Sequence, residues 1–140
     1  MNWKEEVKFV KKCRRIFSHT DFSKKERERQ RKFAKKYDFS YVDTWNLDTE
    51  LSFYLLPRIA YLRKHCHGYP SVLCEFDDAG QTTNDKEAEK QWNCILKTIQ
   101  KGLHYYLEDT VLAKPLTDKK KKVWKQAKQY IAEYYETFWD

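Results

Sequence analysis

Three glycines in 140 residues leave little room for a phosphate-cradling loop, and no GxSxG, HExxH, glycine-rich or Walker pattern occurs. The enzyme classes that depend on such motifs are excluded, and the expectation is a non-enzymatic protein with no catalytic residues and no cofactor. Only three prolines interrupt the chain, so long helices are sterically allowed. No run of about 18 apolar residues is present, which argues against a transmembrane helix. The opening Met1-Asn2-Trp3-Lys4-Glu5-Glu6 carries acids where a secretion signal needs a basic and then an apolar region, so a cytoplasmic protein is expected. The four cysteines, Cys13, Cys66, Cys74 and Cys94, form no CxxC pair and are read as free thiols.

Arginine is absent from the second half. All seven arginines lie in residues 1–70, where 17 Lys+Arg face 9 Asp+Glu; residues 71–140 hold 11 against 12. The guanidinium fork suits phosphate and carboxylate, so an anionic partner is expected to meet the first half. Aromatic residues make up 16% of the chain, enough to build a core despite a charged fraction of 35%.

Helical spacing dominates and no segment alternates with period two. A first helix is expected over about residues 2–17, with Trp3, Val7, Val10 and Phe17 on one stripe. A second begins at Ser23, where Ser23-Lys24-Lys25-Glu26 fits a capping box, and runs to about Tyr37 as a solvated, charged helix. The third opens at Asp43 or Thr44; Leu47, Leu51, Leu55, Ile59 and Leu62 form its apolar stripe and Pro57 bends or splits it. His65-Cys66-His67-Gly68-Tyr69-Pro70 closes it, with Gly68 as the left-handed terminating residue. Glu75 to Thr83 reads as a surface loop. A fourth helix starts at Asn84 or Asp85 and buries Trp92, Ile95, Leu96, Ile99, Leu103 and Tyr106. The fifth follows Pro115 and Thr117-Asp118 with Val123, Ala127, Tyr130, Ile131, Tyr134 and Phe138. The fold class is all-α, a single domain of about five helices with the third kinked at Pro57. It divides into basic N-terminal helices (1–36), a central segment (37–107) and an aromatic C-terminal helix (118–140).

Four constellations bear on chemistry. His65, Cys66, His67 and Cys74 are metal-ligand types, with Cys94, His104 or Cys13 as a fourth donor; the helix ending explains them without a ligand, and no metal is expected. Arg58 admits two readings. Beside a proline it can satisfy freed helix carbonyls, the commoner role, or it can point into a concave site and clamp phosphate or carboxylate. Asp43, Asp48 and Glu50 could form a carboxylate set, although Asp43 and Asp48 are five residues apart and face differently. The basic run Lys24, Lys25, Arg27, Arg29, Arg31, Lys32, Lys35 and Lys36 could follow a nucleic-acid backbone, with Tyr37, Phe39 and Tyr41 available to stack on bases; its bland reading is a solvated helix with alternating charges. Tyr130, Tyr134, Tyr135, Phe138 and Trp139 read as core packing, or in part as a contact between copies of the chain.

The blocks Asp43-Thr44-Trp45-Asn46-Leu47-Asp48, Leu55-Leu56-Pro57-Arg58-Ile59 and His67-Gly68-Tyr69-Pro70 resemble a family of small bacteriophage proteins. Those read as Asp, any residue, Trp, Ser or Asn, Leu, Asp, then an Ile-Leu-Pro-Arg-Leu helix and a His-Gly-Tyr-Pro turn. Their downstream Trp-any-any-Ile-Leu helix is matched by Trp92, Ile95 and Leu96. The resemblance spans Tyr37 to Leu107 and departs in the longer polar insertion between Tyr69 and Trp92. It implies a phage accessory protein in the bacterial host cytoplasm, a setting in which small basic proteins block host defence proteins or sequester nucleotide signals. The resulting expectation is a binder of an anionic, nucleotide-like ligand through Trp45, Tyr54, Arg58, Arg63, His65, His67 and Tyr69. The alternatives are a nucleic-acid-binding or host-protein-inhibiting module using the basic half, and a metal-dependent hydrolase on His65, His67 and Cys74.

Overall fold

The computed structural model describes residues 1–18 and 21–138. Among them five α-helices form an all-α bundle: α1 (Trp3–Phe17), α2 (Lys24–Tyr37), α3 (Leu47–His65), α4 (Asp85–Leu112) and α5 (Asp118–Tyr134). The ends follow from local chemistry. Asn2 and Glu5 make a reciprocal capping box on α1, Ser23 accepts the Glu26 N–H on α2, and Thr117 accepts the Lys120 N–H on α5. None of the described helices is long and apolar enough to cross a membrane.

α4 is the central element. Ala88, Trp92, Ile95, Leu96, Ile99, Leu103 and Leu107 are buried along it at helical spacing. α3 presents Phe53, Leu56, Ile59 and Ala60 to that core, α1 adds Val10 and Cys13, and α5 adds Ala127 and Tyr134. Tyr134 and Phe138 pack on Trp92, at ring separations of 5.7 and 6.2 Å, so this part of the aromatic tail is core. Tyr135 is exposed, and Trp139 lies outside the described residues. α2 buries no residue and meets the other helical elements only through the 3₁₀ helix Tyr41–Asn46. Phe33 anchors it there, with the rings of Tyr37, Phe39 and Tyr41 within 5.5 Å of its own.

The third helix differs from its expected form in three respects: its start, its buried face and its end. It starts at Leu47, because Ser40 and Asp43 cap the separate 3₁₀ helix Tyr41–Asn46. Its buried face is Thr49, Ser52, Phe53, Leu56, Ile59 and Ala60, whereas Leu47 and Leu51 are exposed. Small polar residues fit against α4 here: Ser52 donates its hydroxyl to the Asp48 carbonyl at 2.8 Å and hides its own polarity. Pro57 does not split the helix, which continues to His65. Finally, Cys66 in extended conformation ends the helix; Gly68 has no positive φ, and Gly80 is the glycine that does, at +76°. That glycine turns the loop between residues 75 and 83, where the Asp77 carboxylate accepts the N–H groups of Ala79 and Gln81.

Candidate functional site

α1 and α3 pack side by side and leave a cleft of about 690 Å³ along their outer seam. Val7, Val10 and Pro57 are short and lie at its middle, while Trp3 and Tyr61 stand at one end and Arg14 and Phe53 at the other. The spacing on each helix explains the lining: Trp3, Val7, Val10 and Arg14 follow one face of α1, and Phe53, Pro57, Tyr61 and His65 one face of α3. A volume of this size lies within the usual range for small-molecule sites, about 300–1,000 Å³.

Its walls are aromatic and its rim is cationic. Trp3 meets Tyr61 edge-on at 5.1 Å, and the His65 ring stacks on Tyr61 at 3.9 Å. His65 Nδ1 also lies 2.9 Å from the Tyr61 carbonyl oxygen, which fixes the imidazole over the phenol ring. Lys11, Arg14 and Arg58 complete the rim, and among the described residues no carboxylate lines the cleft. Arg14 reaches back to Glu50 at 3.0 Å and lies 4.8 Å over Phe53, so its guanidinium is held in place. Arg58 lies 3.7 Å over the Tyr54 ring and donates to the Tyr54 carbonyl at 2.9 Å. That carbonyl is next to the Phe53 carbonyl, whose helical donor Pro57 removes. Arg58 is thus tied to its own helix while it borders the cleft.

The seven residues expected to form one binding site are distributed over several places. Arg58 and His65 lie in the cleft. Arg63, His67 and Tyr69 line a second hollow of about 540 Å³ between the end of α3 and the start of α4. Tyr54 is exposed beneath Arg58, and Trp45 packs near Phe22 and Tyr41 at the other end of α3. Trp3, Lys11, Arg14 and Tyr61 were not among the expected residues. The Trp3 stripe and an aromatic one turn after Pro57 are visible in the sequence, but the pairing of α1 with α3 is a tertiary fact.

The remaining constellations separate. Among the described residues no group of three or more His, Cys, Asp or Glu could hold a metal ion. The three carboxylates have unrelated tasks: Asp43 caps the 3₁₀ helix, Asp48 accepts the Tyr106 hydroxyl, and Glu50 pairs with Arg14. The Tyr106 hydrogen bond holds the Asp48 carboxyl below its ordinary range. Glu26 accepts the Tyr41 hydroxyl, which lowers the Glu26 carboxyl and raises the phenol. Two of the buried or half-buried acids on the opposite side of α1 form a separate network. Glu6 and Glu108 flank His104, whose Nδ1 is 2.8 Å from Glu6 and whose Nε2 is 3.0 Å from Glu108. No family model matches the chain, and no curated protein or solved structure matches it.

Proposed function

We propose that the protein is a non-enzymatic binder that captures an anionic, nucleotide-like ligand in the α1–α3 cleft. The observation that carries this reading is the pairing of an apolar, aromatic interior with a rim of Lys11, Arg14, Arg58 and His65 and no lining carboxylate among the described residues. A flat ring can lie on the apolar floor of Val7, Val10 and Pro57 beside the Trp3–Tyr61 pair, while an attached anion meets cations already held in position. Arg14 and Arg58 are pre-oriented by Phe53, Glu50 and Tyr54, so little side-chain entropy is lost on binding. The resemblance to small phage proteins supplies a context for such capture: an accessory protein that removes a nucleotide signal of host defence from solution.

Calorimetry with adenosine and guanosine monophosphates, and with the free nucleosides, tests the reading. Binding in the range of about 10 μM to 1 mM is expected for a site of this size and exposure. Tyr61→Ala removes one wall and weakens binding by about tenfold, the value of one aromatic stack. No heat with any nucleotide or nucleoside at millimolar concentration, or equal affinity in Tyr61→Ala, would end the proposal.

A second reading has its own support. α2 carries Lys24, Lys25, Arg27, Arg29, Arg31, Lys32, Lys35 and Lys36 without a buried residue, all of them exposed on the faces outside its Phe33 contact. Its Arg29 pairs with Glu26 at 3.4 Å, an exposed contact that salt screens. Single- or double-stranded DNA bound through α2 would show affinity falling steeply with salt and lost in Arg31→Glu/Lys35→Glu.

A further inference from the structure

We infer that the ligand carries more than one phosphate and lays its phosphates in a further, cationic cavity that shares Trp3 with the cleft. The inference rests on the binding of a nucleotide-like ligand proposed above and specifies its class. The cavity is about 790 Å³ and lies where the N-terminus of α1 crosses the C-terminal half of α3 and the middle of α4. Trp3 lines both spaces, so a ligand whose ring lies in the cleft has only the indole between it and the cavity.

Five cationic side chains line this cavity, namely Lys4, Arg63, Lys64, Lys97 and Lys101, and among the described residues no Asp or Glu does. Helix geometry puts them there. Arg63 and Lys64 follow Ala60 at three and four residues on α3, while Lys97 and Lys101 are one turn apart on α4. Ala60 is small and buried, which keeps the floor low between the long cationic side chains. Like charges at such spacing repel one another in the free protein.

Three cations elsewhere in the chain have a carboxylate partner: Arg14 with Glu50, Arg29 with Glu26, and Lys120 with Glu108. Among the described residues, none of the five cavity cations forms an ion pair. The nearest acids in sequence are committed to other partners: Glu5 accepts the Asn2 N–H at 2.7 Å, and Glu6 is buried against Gln100 and His104. Five cationic side chains around one hollow, with the acids beside Lys4 engaged elsewhere, make a positive field that favours an anion from outside.

Arg63 is the built part of the cavity. Its Nε donates to Asn93 Oδ1 at 3.0 Å and its Nη1 to Gln100 Oε1 at 3.1 Å. Gln100 is itself fixed, because its amide nitrogen donates to Glu6 Oε1 at 2.9 Å. Two neutral acceptors therefore aim the guanidinium without cancelling its charge, and its remaining N–H groups are left to bind phosphate oxygen. Lys64, Lys97 and Lys101 are exposed point charges that can follow a flexible phosphate chain.

Inorganic tripolyphosphate tests the cavity alone, free adenosine tests the cleft alone, and adenosine mono- and triphosphate test their union. Tripolyphosphate is expected to bind, to compete with the triphosphate and to leave adenosine binding unaffected. The triphosphate should bind about thirtyfold or more tighter than the monophosphate, a preference that salt diminishes. Lys97→Ala/Lys101→Ala, two exposed changes that spare the core, should weaken tripolyphosphate and triphosphate about tenfold or more and leave adenosine unchanged. Equal affinity for mono- and triphosphate, unchanged in that variant, would overturn the inference and leave the cleft reading standing. Tripolyphosphate binding without adenosine or monophosphate binding would keep the cavity as an anion site and overturn its union with a nucleotide cleft. A single-stranded oligonucleotide that binds tighter than the triphosphate through Lys97 and Lys101 would also overturn it, in favour of a polymeric ligand.

Discussion

Arg63 donates to Gln100 at 3.1 Å across 37 residues of sequence, so a cation of α3 is held by an uncharged acceptor on α4. Gln100 is 3% exposed, so its partners are not readily replaced by solvent. Its amide serves Glu6 and the Met1 carbonyl, and its oxygen serves Arg63. Gln100→Leu keeps the bulk but strips the buried Glu6 carboxylate of a donor and Arg63 of its acceptor, so a loss of about 2–4 kcal/mol is expected. Urea unfolding measures it. A loss below about 0.5 kcal/mol would show that Arg63 and Glu6 find other partners.

The same carboxylate defines a second prediction. His104 is bracketed by Glu6 at 2.8 Å and Glu108 at 3.0 Å, and Phe9 stacks on its ring at 3.9 Å. His104→Leu leaves the Glu6 carboxylate, 2% exposed, with the Gln100 amide alone and is expected to cost about 3–5 kcal/mol. Adding Glu6→Gln removes the stranded charge and should recover a large part of that loss. Strict additivity of the two single losses in a double-mutant cycle would contradict the coupling.

Where α4 and α5 cross, Gly102 has a packing reason rather than a conformational one. A Cβ at that position would lie 2.3 Å from the Ala127 Cβ and 3.2 Å from Trp124 Cε3. In an open helix, Gly→Ala gains about 1 kcal/mol. Here the methyl must push α5 away, disturbing the stack of Trp124 on Tyr106 at 4.8 Å, and overpacking of this kind costs about 1–3 kcal/mol. Gly102→Ala should therefore lower stability overall, with partial rescue by Ala127→Gly in the same chain. A more stable Gly102→Ala protein would mean that the helices separate freely.

The bundle was legible in the sequence because α4 and α5 repeat large apolar residues at helical spacing. The face of α3 was not. Leu47, Leu51 and Leu55 make the stronger apolar stripe on paper, yet the buried side is Thr49, Ser52, Phe53 and Leu56. Close packing against a neighbouring helix selects for shape, and Thr and Ser can satisfy their hydroxyls on their own helix. The candidate site was only half legible for a related reason. Arg58 and His65 were identifiable from the proline and the helix ending, but their partners Trp3 and Arg14 come from a helix about fifty residues earlier. The register can be checked directly. Leu51→Ala, at a position 52% exposed, should change stability by less than about 0.5 kcal/mol, while Phe53→Ala, at 2%, should cost about 3–5 kcal/mol. Comparable losses at both positions would restore the leucine face.

The turn after α3 offers a pH-dependent test. The Tyr69 hydroxyl donates to the Asp85 carboxylate in the first turn of α4, and this hydrogen bond, aided by burial, raises the phenol from 10.0 to about 12. The favoured form is the protonated one, so the contribution to stability is fully present below pH 10. It is lost as pH rises from there through about 12, because the phenolate can no longer donate and repels the carboxylate. Subtracting the phenolate absorbance titration of Tyr69→Phe from that of the unmodified protein isolates this group. Asp85→Asn, measured with its own Tyr69→Phe reference, should move the isolated titration back towards 10. A Tyr69 titration that is the same with and without the carboxylate would show that the turn is not held by this bond.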